Sequence, residues 1–156
     1  MQNIMNIGGI PRFRKSLFLG DFKEARRFAT FILDKKLHDK KQTDYVRLLH
    51  SAFNTSLIIS YCRPFTVNRN RPGEDPSSLK MHVEGLLTND EVDLHKVIWE
   101  RRNQVYAHTQ ASARLFEGMD YDRALFFTKS IGPLTKSETR TLNIMIRKWI
   151  KHLQGQ

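Results

Sequence analysis

The stretch Trp99-Glu100-Arg101-Arg102-Asn103-Gln104-Val105-Tyr106-Ala107-His108 gathers two guanidinium groups, a carboxamide and an imidazole. Those groups match what the cleavage of a ribose phosphodiester requires. One group must take the proton from a 2′-hydroxyl, another must support the leaving 5′-oxygen, and donors must stabilise charge on the phosphorane. The imidazole of His108 titrates near neutrality and suits proton transfer. The Arg102 guanidinium stays charged and presents a planar fork matched to phosphate oxygens. Asn103 can orient either partner by hydrogen bonds. On an ideal helix six residues advance about 9 Å and turn two side chains about 120° apart. Arg102 and His108 therefore do not share a stripe. The length of arginine, a helix end near Ala107 or a twofold-related second copy could each bring them together.

The elements that must hold these groups follow from hydrophobic periodicity. Asp21 stands three residues before Glu24, a capping-box spacing, and Phe22, Ala25, Phe28, Ala29 and Ile32 recur at helical steps. A first helix is expected over about 22 to 37, preceded by an arm over 1-20 that holds Gly8, Gly9, Pro11 and Gly20 and in which Phe13, Leu17, Phe18 and Leu19 could pack a short helical turn onto the body. Lys23, Arg26, Arg27 and Lys35 take its other face. Thr43 can cap a second helix that carries Tyr45, Leu48, Leu49, Ala52, Phe53 and Leu57 and ends at Pro64. Residues 63 to 78 form a basic loop in which Arg63, Arg69 and Arg71 could touch phosphates. Residues 79 to 87 suit a short extra helix. Thr88 and Glu91 repeat the capping-box spacing ahead of Val92, His95, Ile98, Trp99 and Arg102. Thr135 or Ser137 caps a last helix with a stripe of Leu142, Met145, Ile146, Trp149, Ile150 and Leu153.

Four amphipathic helices can bury their stripes only against one another. The expected fold is all-α, an up-and-down bundle of four main helices plus short extra helices, in one domain over 21-156.

Charge and composition narrow the partners. Lys and Arg number 26 against 16 Asp and Glu, a formal charge of +10, with a pI near 10.0. Such an excess favours approach to a polyanion, so nucleic acid leads, with RNA the partner that the residues above suit, while an anionic membrane surface or an acidic protein would respond to the same field. Cys62 is the single cysteine, which excludes an intrachain disulfide and Cys-rich metal motifs. It suits a small core residue rather than a nucleophile. His38, His50, His82, His95 and His152 show no metal spacing, and no Gly-rich phosphate loop or His-Glu-x-x-His pair occurs. No metal and no cofactor is expected. The longest apolar run, Leu57-Ile58-Ile59, is far too short to cross a bilayer, and the start lacks a signal-peptide pattern. A soluble, cytoplasmic protein with no membrane partner is expected.

Arg102-Asn103-x-x-x-x-His108 on the penultimate main helix resembles the Arg-x(4–6)-His signature of the HEPN superfamily. Arg101 also stands at a matching distance from His108, and Arg147 from His152, but only Arg102 is followed by asparagine, as is common in that superfamily. Gly132-Pro133-Leu134-Thr135, opening the last helix, resembles its abortive-infection branch. The resemblance implies a HEPN-like helical bundle, a homodimer whose two motifs meet in one cleft, and metal-independent endoribonuclease activity in toxin–antitoxin or phage defence. It implies catalytic roles for Arg102, Asn103 and His108, with Arg101, Tyr106 and the loop arginines in contact with RNA. An antitoxin or a nucleotidyltransferase is the implied protein partner. Some HEPN toxins carry a modifiable tyrosine two residues past the histidine, where this chain has Gln110. The alternative is a non-catalytic HEPN module that binds RNA, a nucleotide or an antitoxin.

Overall fold

A computed structural model describes residues 12–66, 85–103 and 132–155 of the chain. Four helices pack against one another: α1 (Arg12–Asp34), α2 (Asp44–Cys62), α3 (Asn89–Arg101) and α4 (Lys136–Gln154). A 3₁₀ turn, Arg63–Phe65, follows α2 directly. No strand occurs among the described residues, and the architecture is an all-α bundle. α1 is the central element and packs mainly on α2 and α4, while α3 lies against α4 and α2.

α1 begins about ten residues before the Asp21–Glu24 spacing suggests. Residues 12–20, expected in an arm, belong to the helix. Phe18 and Phe22 continue the buried stripe of Ala25, Ala29 and Ile32. Burying an aromatic side chain stabilises by about 1.5–3 kcal/mol, more than the roughly 1 kcal/mol that a helical glycine costs at Gly20. Asp21 and Glu24 sit mid-helix and face Arg63 instead of capping anything.

The helix closes just past Asp34, where Lys36 takes a left-handed φ of 50°. The Lys36 amide donates to Leu33 O at 3.0 Å and the Leu37 amide to Ile32 O at 3.1 Å. That paired closure is a Schellman motif, and Leu37, just beyond it, is buried as the motif's apolar contact.

The expected caps of the other helices are present. Thr43 Oγ1 accepts from the Val46 amide at 3.3 Å. Thr88 and Glu91 form a reciprocal capping box, as do Thr135 and Glu138. Thr135, not Ser137, therefore starts α4. Pro64 diverts the chain into the 3₁₀ turn at the end of α2.

The core gathers around Trp149 of α4. Its indole stacks on Phe22 of α1, 5.8 Å between centroids and 3° between planes, and Phe65 meets it edge-on at 5.4 Å. The expected α4 stripe is buried throughout.

The first half of α2 differs from expectation. Tyr45 and Leu48 are exposed, at 72% and 71%, while His50 and Asn54 are buried. Asn54 Oδ1 accepts the Leu134 amide at 3.0 Å, just before α4 begins. The inward face there is polar because it binds backbone that no helix satisfies. The extra helix expected over 79 to 87 falls mostly outside the described residues; residues 85–87 form a turn.

Candidate functional site

α3 is fixed at both ends, which is what places Arg101, Arg102 and Asn103. At its start, Glu91 is buried, accepts the Thr88 amide at 2.8 Å and accepts Lys148 Nζ of α4 at 2.7 Å. At its end, Arg101 Nη2 stands 3.7 Å from Glu138 Oε1, in the first turn of α4. Glu138 also accepts the Thr135 amide through its other oxygen, so one carboxylate caps α4 and anchors α3. Arg101 thus has a structural tie, with its Nη1 buried and unpartnered.

At Arg102 the backbone stays right-handed helical, and its N–H donates to both Ile98 O and Trp99 O. Here Arg102 Nη1 donates to Asn103 Oδ1 at 2.8 Å. The guanidinium also lies 5.7 Å from the centroid of the Trp99 ring, within cation–π range. Among the described residues Arg102 forms no ion pair with a carboxylate. It is a braced, partly buried cation with no carboxylate partner among the described residues.

The brace extends into the core. Trp99 stacks near His95, 6.3 Å between centroids and 19° between planes. His95 Nδ1 lies 3.0 Å from the Tyr61 hydroxyl of α2. Tyr61 is fully buried, and burial pushes its hydroxyl well above the usual phenol range. Burial pushes the His95 imidazole down to about 4. At neutral pH Tyr61 is then the donor and His95 the neutral acceptor. A relay of packed rings therefore runs Tyr61, His95, Trp99, Arg102 from the core to the candidate site. The spacings 95, 99 and 102 place all three on one face of α3, which is the sequence signal for this support.

Arg63 has a different place. Its Nη1 bonds Glu24 Oε2 at 2.9 Å and Asp21 Oδ1 at 3.3 Å, and Ser60 Oγ donates to the same Glu24 oxygen at 2.8 Å. It joins the end of α2 to α1 and is not grouped with Arg102. Cys62 is fully buried in the core, and burial pushes its thiol up to about 12, only weakly opposed by the Arg102 charge. That environment favours the thiol over the nucleophilic thiolate. Arg69, Arg71, Tyr106 and His108 lie outside the described residues. Among the described residues no group of three or more His, Cys, Asp or Glu side chains could hold a metal ion. No described helix is long and apolar enough to cross a membrane.

Compared with known families, curated proteins and solved structures, the chain matches none. The candidate site therefore stands on its own chemistry: a charged fork held by a carboxamide and an indole at the end of a doubly anchored helix.

Proposed function

We propose that this chain is a metal-independent endoribonuclease of the HEPN toxin or defence type, working as a homodimer. The observation that carries the reading is the Arg102 guanidinium, braced by Asn103 and Trp99 and left without a carboxylate among the described residues. A cation held this way at a partly buried position suits a phosphate. In the proposed reaction Arg102 holds the scissile phosphate and stabilises the charge that builds on its oxygens. His108 takes the proton from the 2′-hydroxyl as that oxygen attacks phosphorus, the bond from phosphorus to the 5′-oxygen breaks, the 5′-oxygen gains a proton from water, and Asn103 fixes the guanidinium plane. Two copies of the motif would line one cleft, and an antitoxin or nucleotidyltransferase would restrain the activity.

The test is incubation of purified protein with RNA in excess chelator, beside Arg102→Ala and His108→Ala. Cleavage by the parent that both substitutions abolish supports the reading. RNA binding without cleavage would leave a non-catalytic RNA-binding module. Equal cleavage by parent and variants would remove these residues from the chemistry.

A further inference from the structure

Opposite its buried stripe, α1 carries a second, strongly charged face. Lys23, Arg26, Arg27 and Lys35, with Phe31 and Asp34, line an open concavity of about 710 Å³. Steps of three and four residues put Lys23, Arg27, Phe31 and Asp34 within about 80° of one another around the helix, with Arg26 and Lys35 on the two flanks. None of the four cations forms an ion pair among the described residues, whereas Arg47, Arg63, Lys96, Lys136 and Lys148 all do. Four cations against the single Asp34 carboxylate leave the concavity strongly positive. A row of unpaired like charges costs self-repulsion, which a bound polyanion relieves.

One aromatic ring, Phe31, lines the concavity. Phe31 stacks on Phe53 of α2, 4.1 Å between centroids and 15° between planes, and Phe28 meets Phe53 edge-on at 5.9 Å. Phe31 is half-buried and held by this stack, yet its side chain still lines the concavity. A fixed aromatic beside a file of cations is the combination that binds single-stranded nucleic acid: charges follow the phosphates and the ring takes a base. The ring beside the cations favours a nucleobase with its phosphate over a charge-only partner. From Lys23 to Lys35 the helix rises about 18 Å, room for a few nucleotides of an extended single strand.

We propose that this face of α1 seats a single strand of RNA, its phosphates along Lys23, Arg26, Arg27 and Lys35 and one base against Phe31. Only the choice of RNA rests on the function proposed above; the seat itself rests on the charge and the ring.

The experiment is fluorescence anisotropy with a labelled 2′-O-methyl RNA strand of about ten nucleotides, which lacks the free 2′-hydroxyl needed for cleavage. Lys23→Gln/Arg26→Gln/Arg27→Gln should weaken binding at least tenfold and reduce the salt slope by about 2. The charge-keeping variant Lys23→Arg/Arg26→Lys/Arg27→Lys should bind within about threefold of the parent, which separates lost charge from lost folding. Removing as much charge elsewhere, by Lys40→Gln/Lys41→Gln/Lys151→Gln, should cost less than about threefold. Phe31→Leu should weaken the single strand about tenfold while leaving duplex RNA binding little changed. Equal losses from the two neutralising triples, an unchanged Phe31→Leu, or a parent that binds duplex as tightly as single strand would each overturn the seat. Cleavage of unmodified RNA, read separately in Arg102→Ala, keeps the two proposals distinguishable. A groove variant that binds normally while Arg102→Ala fails to cleave sinks only the seat. A groove variant that loses binding when the parent never cleaves sinks only the nuclease.

Discussion

Arg102 and Asn103 are adjacent in the chain, yet their side chains are joined by a 2.8 Å hydrogen bond. Neighbours on a regular helix point about 100° apart, so the long arginine side chain must fold back to reach Asn103. The bond holds the guanidinium fork against the Asn103 carboxamide. In single-turnover cleavage, Arg102→Ala should lower the rate at least about 100-fold, the cost of removing a transition-state donor. Asn103→Ala should cost about tenfold, because the fork persists but loses its brace. Arg102→Lys should recover only a small fraction, since an ammonium cannot donate from two nitrogens in one plane. An Asn103→Ala enzyme as fast as the parent would show the brace to be irrelevant.

The Tyr61–His95 bond carries a pH dependence. Burial holds the His95 imidazole down to about 4, below its ordinary 6.5. The unfolded chain therefore binds a proton in a window where the folded chain does not. Stability is complete above about pH 6.5 and declines as pH falls toward 4. The urea midpoint of the parent should fall between pH 7 and pH 4.5, and His95→Gln should flatten that decline at some cost in neutral stability. A variant with the parent's slope would place the effect on other groups, of which His50, also pushed down by burial, is the next candidate.

Glu91 is a buried carboxylate at a helix start. Burial alone would push it up; the Lys148 ammonium and the Thr88 amide and hydroxyl outweigh that and hold it below its ordinary 4.5. Its stabilising contribution is present above that value and is lost as pH falls through the lower folded one. Glu91→Gln weakens both the capping box and the tie to α4. Allowing for the solvent exposure of the Lys148 end, a loss of about 1–2 kcal/mol is expected, a fall in Tm of about 3–8 °C. Glu91→Gln should also lose less stability than the parent between neutral pH and pH 3. Thermal melts at the two pH values check both points.

Helix boundaries and the fold class were legible where local chemistry decided them. Thr43, Thr88 and Thr135 cap where their hydroxyls can reach free amides, and the α4 stripe from Leu142 to Leu153 is buried as its period requires. The start of α1 was not legible. Asp21 and Glu24 have capping-box spacing, but a distant arginine, Arg63, decides their role. The inward face of early α2 was hidden for the same reason. Tyr45 and Leu48 are the more apolar side chains, yet Asn54 turns inward to bond the Leu134 amide, eighty residues away. For the candidate site, Arg102 and Asn103 could be found from residue type and spacing. Their support by Trp99, His95 and Tyr61 depends on how α3 packs on α2.

Lys36 offers a test of the fold alone. It holds a left-handed φ of 50° in a position where glycine carries no Cβ penalty. Lys36→Gly should stabilise the chain by about 0.5–1 kcal/mol and raise Tm by about 1–4 °C. A lowered Tm would mean that the Lys36 side chain contributes more than its backbone costs.

The chemistry of the RNA ends tests the central claim most directly. In the proposed reaction, attack by the 2′-oxygen with His108 moving the proton and Arg102 holding the phosphate would leave a 2′,3′-cyclic phosphate on one fragment and a 5′-hydroxyl on the other. Mass spectrometry of products made in chelator should show those ends, and a 2′-deoxy substitution at the scissile nucleotide should prevent the cut. Fragments ending in 3′-hydroxyl and 5′-phosphate, or cleavage that continues at the 2′-deoxy position, would contradict the account.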